Sequence, residues 1–156
     1  MASAARHGLM RVITCAFGAP ATETTTVAVR IPADARHLAL IRAMTDTVCL
    51  VADVPFDAAA DIRLAINEAA TMLLVGAAPG SVLGCAFTYG AGRMSVRVDS
   101  VAAFGDEVAE GDPLSWELVR MLTSSLSISR DPFDSEIGGY PTVIEFSWER
   151  GPFDDT

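Results

Sequence analysis

The segment over residues 61–74 constrains the fold most, because its apolar residues recur at the spacing of a buried α-helix. Ile62, Ile66 and Leu73 fall on one face of that helix and would pack into a core. Glu68 lies beside this face, so its carboxylate must find a partner, keep a proton or line a cavity. Two alternatives stay open: Glu68 is a functional carboxylate, or it is a salt-bridged, half-exposed glutamate on an ordinary core helix.

Length and composition indicate one domain. The chain has 156 residues, of which 51% are apolar, and this is enough for a single substantial core. We expect residues 25–150 to form that domain, with a flexible extension over residues 1–24 and a tail over residues 151–156. No apolar run is long enough to span a bilayer, and residues 1–20 lack the pattern of a secretory signal. We therefore expect a cytoplasmic protein that does not bind membranes.

The charge pattern favours protein partners over nucleic acid. The net charge is −9, and all 11 basic residues are arginine, so the chain has no lysine. A surface that follows a phosphate backbone needs clustered cations, which argues against direct binding to nucleic acid. An acidic surface suits protein partners that present basic patches.

Cysteine and histidine residues are too few and too widely spaced for a metal site. The three cysteines are Cys15, Cys49 and Cys85, and the two histidines are His7 and His37. None of them falls at metal-ligand spacing, so we expect no bound metal through these residues. The apolar neighbours of Cys49 and Cys85 predict buried free thiols.

Periodicity, caps and turn signals predict eight elements in the order strand, helix, helix, strand, strand, helix, strand, strand. Asp34 and Asp57 are the predicted N-caps of the first two helices, and residues 90–92 are a predicted three-residue hairpin loop. Residues 101–113 are predicted to be irregular, as a lid or a solvated loop. This order favours an α+β two-layer sandwich, in which three helices cover one face of a mixed, mostly antiparallel sheet. The predicted strands cover residues 25–31, 81–89, 93–99, 126–129 and 142–149, and the predicted helices cover residues 34–52, 57–75 and 114–125.

Three short motifs give the chain a family resemblance. They are L-A-L-I-R at residues 38–42, F-D at residues 56–57 and I-N-E-A-A-T at residues 66–71. Together with the element order they resemble the GHKL (histidine-kinase-like) ATPase fold. More closely, they are similar to the RsbW–SpoIIAB group of bacterial anti-sigma factors, which are also serine kinases. The resemblance is strongest over residues 27–75 and weaker over residues 81–129.

The resemblance implies roles for four residues. In the group, a glutamate at the position of Glu68 is the general base that activates the attacking hydroxyl. The asparagine that holds Mg²⁺ in the group is Met72 here, and a thioether is a poor ligand for a hard cation. Asn67 lies about 100° away around the helix and does not replace it. Asp99 matches the aspartate that binds the adenine amino group, but the two glycines that follow it in the group are absent.

The segment that should approach the nucleotide phosphates also departs from the group. Asp112 brings negative charge to this turn, and Pro113 removes a backbone amide donor. We therefore expect ATP and Mg²⁺ to bind weakly or not at all, and the sequence leaves enzyme activity open. Glu68 is the candidate catalytic residue, and Asn67, Met72 and Asp99 are the candidate cofactor-binding residues.

The resemblance implies an anti-sigma factor that captures an RNA polymerase sigma factor and is released by an anti-anti-sigma factor of the STAS type. Arg42 matches an arginine that contacts both partners, and its guanidinium is suited to pairing with carboxylates. A solvated arginine is the alternative for this position. Ala39 leaves room for a flat surface on the same helix, for a partner or for a homodimer. Two other functions remain open: an active serine kinase for the anti-anti-sigma factor, and a non-catalytic α+β interaction domain.

Overall fold

The computed structural model describes residues 23–105 and 112–152. Their order of strands and helices confirms the predicted succession, while most of the predicted extension and tail lies outside these ranges. None of the described helices is long and apolar enough to cross a bilayer. The elements are β1 (Thr25–Pro32), a 3-10 helix (Ala35–His37), α1 (Leu38–Val51), α2 (Phe56–Val75), β2 (Val82–Gly90), β3 (Arg93–Ala102), α3 (Pro113–Leu122), β4 (Ser125–Arg130) and β5 (Tyr140–Glu149).

The five described strands form one sheet in the order β1-β2-β3-β5-β4, so β1 and β4 are its edges. The α+β architecture is confirmed, but the prediction of a mixed sheet was wrong, because every ladder among these strands is antiparallel. A single crossover helix would make the strands that it joins parallel. Two successive helices, α1 and α2, join β1 to β2, and the second returns the chain in the antiparallel direction.

Alternation along the strands gives the sheet two different faces, which we call the covered face and the open face. The covered face packs against the helices in one apolar cluster, and no described helix packs on the open face. One register row on the covered face is Val29, Cys85, Val98, Ile144 and Ile128. One row on the open face is Thr26, Thr88, Ser95, Ser147 and Ser125, which carries a hydroxyl on every strand.

The core helix predicted from its spacing is confirmed in α2. Ile62, Ile66 and Ala69 are completely buried, and Leu73 is nearly so. The predicted alternation of β5 is confirmed as well, because Ile144 and Phe146 are buried in the core while Glu145 between them is exposed. Burial of a large aliphatic side chain contributes about 1.5–3 kcal/mol, so these residues supply much of the stability of the fold.

Several predicted boundaries were wrong, for local reasons. Gly90 still pairs with Arg93, so the hairpin loop contains two residues. These are Ala91 and Gly92, with φ of 49° and 72°, as a tight turn of type I′ needs. The N-cap of α2 is Pro55 rather than Asp57, which lies within the first turn. The helix α3 ends at Leu122, because the next residue is extended. Part of the predicted irregular segment, residues 106–111, lies outside the described residues.

The prediction of buried free thiols is confirmed for Cys49 and Cys85. Burial raises the pKa of the Cys49 thiol to about 11, with a smaller contribution from the nearby carboxylate of Asp46. Burial also raises the pKa of Cys85. Both thiols are therefore protonated and unreactive near neutral pH. Cys15 lies outside the described residues.

Candidate functional site

Helix α2 carries three of the predicted site residues, Asn67, Glu68 and Met72. Successive helical residues are about 100° apart, so Asn67 and Glu68 project from different flanks of α2. Both side chains are half-buried. The Glu68 carboxylate forms no ion pair with any residue in the described ranges. It thus remains a carboxylate that the rest of the described chain does not neutralise.

The flank of α2 that bears Asn67 is tied to α1. Arg42 donates a hydrogen bond from Nη1 to the Asn67 side-chain oxygen over 3.0 Å. An ion pair of 3.3 Å between Arg63 and Asp46 forms a second link between the two helices. The structure therefore brings together a predicted partner-binding residue and a predicted cofactor-binding residue. The Asn67 amide oxygen is engaged by the Arg42 guanidinium.

Met72 follows Glu68 by one helical turn and lies on the same flank. Its side chain is half-buried and packs against the apolar core. Its environment is thus apolar, and its thioether is a weak ligand for magnesium. Within residues 23–105 and 112–152, no three side chains of His, Cys, Asp or Glu lie close enough to hold a metal ion.

The Asp99 side chain points to the face of the sheet opposite the helices. In β3 the buried side chains of Val96, Val98 and Ser100 point to the covered face, so Asp99 points to the open face. There its carboxylate forms an ion pair of 3.4 Å with Arg30, on a strand two positions away. The structure therefore places Glu68 and Asp99 on opposite sides of the sheet and does not bring them together.

The close approach of Asp99 and Arg30 depends on a glycine between them. Gly84 lies on β2, directly between the two strands. A Cβ atom at this position would lie 2.5 Å from Asp99 Oδ1 and 2.9 Å from Arg30 Nη1. The pair also borders a cavity of about 440 Å³, which includes Arg97 and Asp131.

Sequence reasoning missed a polar row on the covered face, formed by Ser100, Thr142 and Arg130. Ser100 donates a hydrogen bond to the carbonyl of Val82. Thr142 donates one to the carbonyl of Tyr140 and accepts one from Arg130 Nε over 3.3 Å. The Nη2 atom of Arg130 is buried without a hydrogen-bond partner in the described part of the chain. The sequence contained a signal for this row, because residues two apart in a strand face the same side of the sheet. Ser100 follows Val96 and Val98 at this spacing and so lies on the covered face with them.

The N-terminus of α3 already holds an anion, the carboxylate of Asp112. Its Oδ1 atom accepts a hydrogen bond from the backbone N–H of Leu114 over 3.1 Å. Pro113, the first residue of the helix, has no N–H. A phosphate at this helix end would meet a negative charge and one fewer donor. Together with Met72 and Asp99, these contacts do not match what ATP and Mg²⁺ would require.

The exposed surface of α1 holds the predicted partner-binding residues. Ala39 and Arg42 are both exposed. Before the helix, the Arg36 guanidinium donates to the carboxylate of Asp34 and holds the pKa of that carboxyl at about 2. An apolar groove of about 510 Å³ separates α1 from β1 and β2 and includes Tyr89.

Comparison with known proteins gives distant relatives. No protein-family model matches the chain. Two proteins named anti-sigma-F factor RsbW, from Mycobacterium tuberculosis strains CDC 1551 / Oshkosh and ATCC 25618 / H37Rv, align with it. Each is 27% identical over 113 residues, which cover 72% of this chain and 67% of the relative. This similarity supports the RsbW type of anti-sigma factor that the motifs predict.

Proposed function

We propose that this chain is an anti-sigma factor that sequesters an RNA polymerase sigma factor by stoichiometric binding. The observation that carries the proposal is the similarity to two proteins named anti-sigma-F factor RsbW. An acidic chain of net charge −9 is suited to a partner with basic patches. Release by an anti-anti-sigma factor of the STAS type completes the proposed cycle.

The proposed partner surface is the exposed side of α1 around Ala39 and Arg42. Arg42 is exposed but already oriented by its hydrogen bond to Asn67. A carboxylate from a partner would form a stronger, charge-assisted hydrogen bond with the same guanidinium. We propose that partner carboxylates compete with the Asn67 oxygen for Arg42. The edge strand β1 and the groove beside α1 are the proposed surface of a homodimer.

We propose that sequestration does not require bound ATP and Mg²⁺. The side chain at the position of the metal ligand, Met72, packs into the core. Asp112 places a carboxylate at the start of α3, and Asp99 pairs with Arg30 on the open face. An active serine kinase remains the second candidate, and the unpaired, half-buried Glu68 is the observation that favours it.

Binding of purified sigma factors tests the proposal. Each sigma factor encoded in the genome that carries this chain is titrated against it by calorimetry. We expect one of them to bind with one-to-one stoichiometry. Arg42→Ala should weaken that binding about tenfold, or about 1.4 kcal/mol. Arg36→Ala is the matched control, because that guanidinium is engaged by Asp34. If no sigma factor binds, the proposed function is wrong.

Nucleotide binding separates the two candidates. We expect calorimetry with ATP and Mg²⁺ to detect no tight binding, and sigma-factor affinity to be the same with and without nucleotide. Tight, Mg²⁺-dependent binding would instead favour the kinase. In that case, Glu68→Gln should abolish phosphate transfer to the anti-anti-sigma factor while the fold is retained.

A further inference from the structure

An apolar groove opens where α1 meets α2. It has a volume of about 460 Å³ and is lined by Cys49, Leu50, Val54, Phe56, Ala59 and Ala60, with Asp46 and Arg63 at its rim. Leu50 is 80% exposed and Phe56 is 88% exposed, although both are large apolar side chains. Such residues clustered around a concave apolar surface are typical of an interaction site. We call this surface the apolar corner.

The walls of the apolar corner decide which kind of segment it accepts. Both walls are α-helices, whose interior backbone N–H and C=O groups already bond within each helix. An extended segment would find no ladder of backbone partners there, in contrast to the sheet edges β1 and β4. A helix satisfies its own backbone and presents apolar side chains three and four residues apart. A groove between helices is therefore suited to an amphipathic helix.

Charges around the apolar corner indicate whether the polar face of that helix is basic or acidic. Asp53 and Asp57 are exposed and directly adjoin the lining residues Val54 and Phe56 in sequence, and neither carboxylate has an ion pair with described residues. The carboxylate of Asp46 is neutralised by Arg63. Arg150 donates to the backbone carbonyl of Asp53. The chain as a whole carries a net charge of −9, so a basic helix is attracted and an acidic one repelled.

We infer that the apolar corner binds the apolar face of a basic amphipathic helix from a protein partner. Leu50 and Phe56 supply the main apolar contacts, and Asp53 and Asp57 attract the basic flank of the helix. The lining of the apolar corner does not include Glu68 or Asp99, the two residues that match nucleotide-site motifs. It does not depend on which protein supplies the helix, and so goes beyond the proposed capture of a sigma factor.

A synthetic helix tests the inference. The probe is a fluorescein-labelled peptide of roughly four turns, with Leu on one face and Lys on the other. It is titrated by anisotropy against the full chain and against Leu50→Ser and Phe56→Ser. Each substitution should weaken binding about tenfold, because each removes a large apolar contact. Both side chains are exposed, so the variants should keep the parent melting temperature.

Matched controls make the result decisive. Leu114 is 77% exposed but lies on α3, so Leu114→Ser should change affinity by less than about twofold. A peptide with Glu in place of Lys should bind at least about tenfold more weakly than the Leu-Lys peptide. Equal loss in Leu114→Ser, or equal affinity for the Glu peptide, would overturn the inference.

Light scattering tests whether the occupant is a second copy of this chain, and the peptide and sigma-factor titrations together separate this inference from the proposed function. If light scattering shows a dimer that becomes a monomer in Leu50→Ser, the occupant is a second copy of this chain and the inference is wrong. If the Leu-Lys peptide binds at the corner but no sigma factor binds, the inference stands and the proposed function fails. If a sigma factor binds but the peptide does not, the proposed function stands and the inference fails.

Discussion

The covered and open faces of the sheet are built from the same five strands, yet they differ in what packs on them and in the apolar content of their side chains. Neighbouring residues of one strand point to opposite faces, as buried Ile144 and exposed Glu145 do. The covered face buries apolar side chains against the helices, whereas the open face carries hydroxyls and the Arg30–Asp99 pair. The role of a polar strand residue is therefore decided by its parity as much as by its chemistry.

Labelling of thiols on the two faces tests whether the covered face is closed to solvent and the open face is not. Cys85 faces the core, and its neighbour Ala86 faces the open side. In a background with Cys15→Ser and Cys49→Ala, native Cys85 should react with a thiol reagent only when the fold opens. Cysteine introduced by Ala86→Cys, in the same background with Cys85→Ala, should react at least about 1,000-fold faster. The measurement is the rate of labelling by mass spectrometry.

The effect of pH provides a control for the labelling experiment, because labelling of Cys85 from the opened chain should accelerate with pH as much as labelling of the exposed thiol, so that the ratio of the two rates is retained. Burial raises the pKa of Cys85 well above its ordinary value of 9.0. In the folded state this thiol is therefore largely protonated even at pH 9. Raising the pH from 8 towards 9 should accelerate labelling of the exposed thiol through its thiolate fraction. Similar labelling rates at Cys85 and at the thiol from Ala86→Cys would show that the covered face is not sealed from solvent.

A second prediction concerns two neighbouring residues of β5. Ile144 is completely buried on the covered face, whereas Val143 is half-buried on the open face. Ile144→Ala should lower the free energy of unfolding by about 3 kcal/mol, because it leaves a cavity. Val143→Ala should lower it by about 1 kcal/mol or less. Both replace a β-branched residue, so loss of strand propensity is similar in the two. Equal losses in urea titrations would contradict the two-faced sheet.

Most of the architecture could be predicted from the sequence because it depends on periodicity. The spacing of Ile62, Ile66 and Leu73 identifies a core helix, and this is confirmed. Details decided by pairing were not predictable in the same way. Gly90 suggested a loop residue, but its pairing with Arg93 extends β2 by one position. The antiparallel sheet follows from connections between elements, which local patterns do not encode.

Less of the candidate site could be predicted, because contacts between distant residues decide it. The similarity of I-N-E-A-A-T to a family motif drew attention to Glu68, and the structure leaves that side chain half-buried and unpaired among the described residues. Asp99 matched a motif by position, although the parity of Val96 and Val98 already placed it on the other face. The hydrogen bond from Arg42 to Asn67 joins two helices, and no local pattern predicts it.

A third prediction compares hydroxyl groups on the two faces. Thr142 is the one hydrogen-bond partner of the Arg130 guanidinium in the described part of the chain. Thr142→Val should therefore lower the free energy of unfolding by about 2 kcal/mol, because it leaves a partly buried charge without an acceptor. On the open face, the hydroxyl of buried Ser147 lies 2.6 Å from that of Ser125, an exposed residue whose hydroxyl can bond to water instead. Ser147→Ala should lower it by only about 0.5–1 kcal/mol.

The double variant Thr142→Val, Arg130→Met checks the cause of this loss. Replacing both partners by apolar groups removes the uncompensated charge and should restore most of the lost stability. Chemical denaturation of the three variants measures the difference. A larger loss in Ser147→Ala than in Thr142→Val would contradict the greater cost expected for an unpaired group on the covered face.

The ion pair between Arg30 and Asp99 on the open face should contribute little to stability. Arg30 and Asp99 approach each other across Gly84, and a methyl group there would displace their mobile ends into solvent. A double-mutant cycle of Arg30→Ala and Asp99→Ala should give a coupling of about 0.5 kcal/mol with Gly84 and near zero with Gly84→Ala. The total stability of Gly84→Ala should change by less than about 1 kcal/mol, because a less flexible unfolded chain offsets the lost pair. Coupling that persists in Gly84→Ala would mean that the pair does not need the gap in β2. Loss of the coupling in Gly84→Ala would show that the Arg30–Asp99 pair forms because Gly84 has no side chain. Residues on the covered face are instead held in place by close packing.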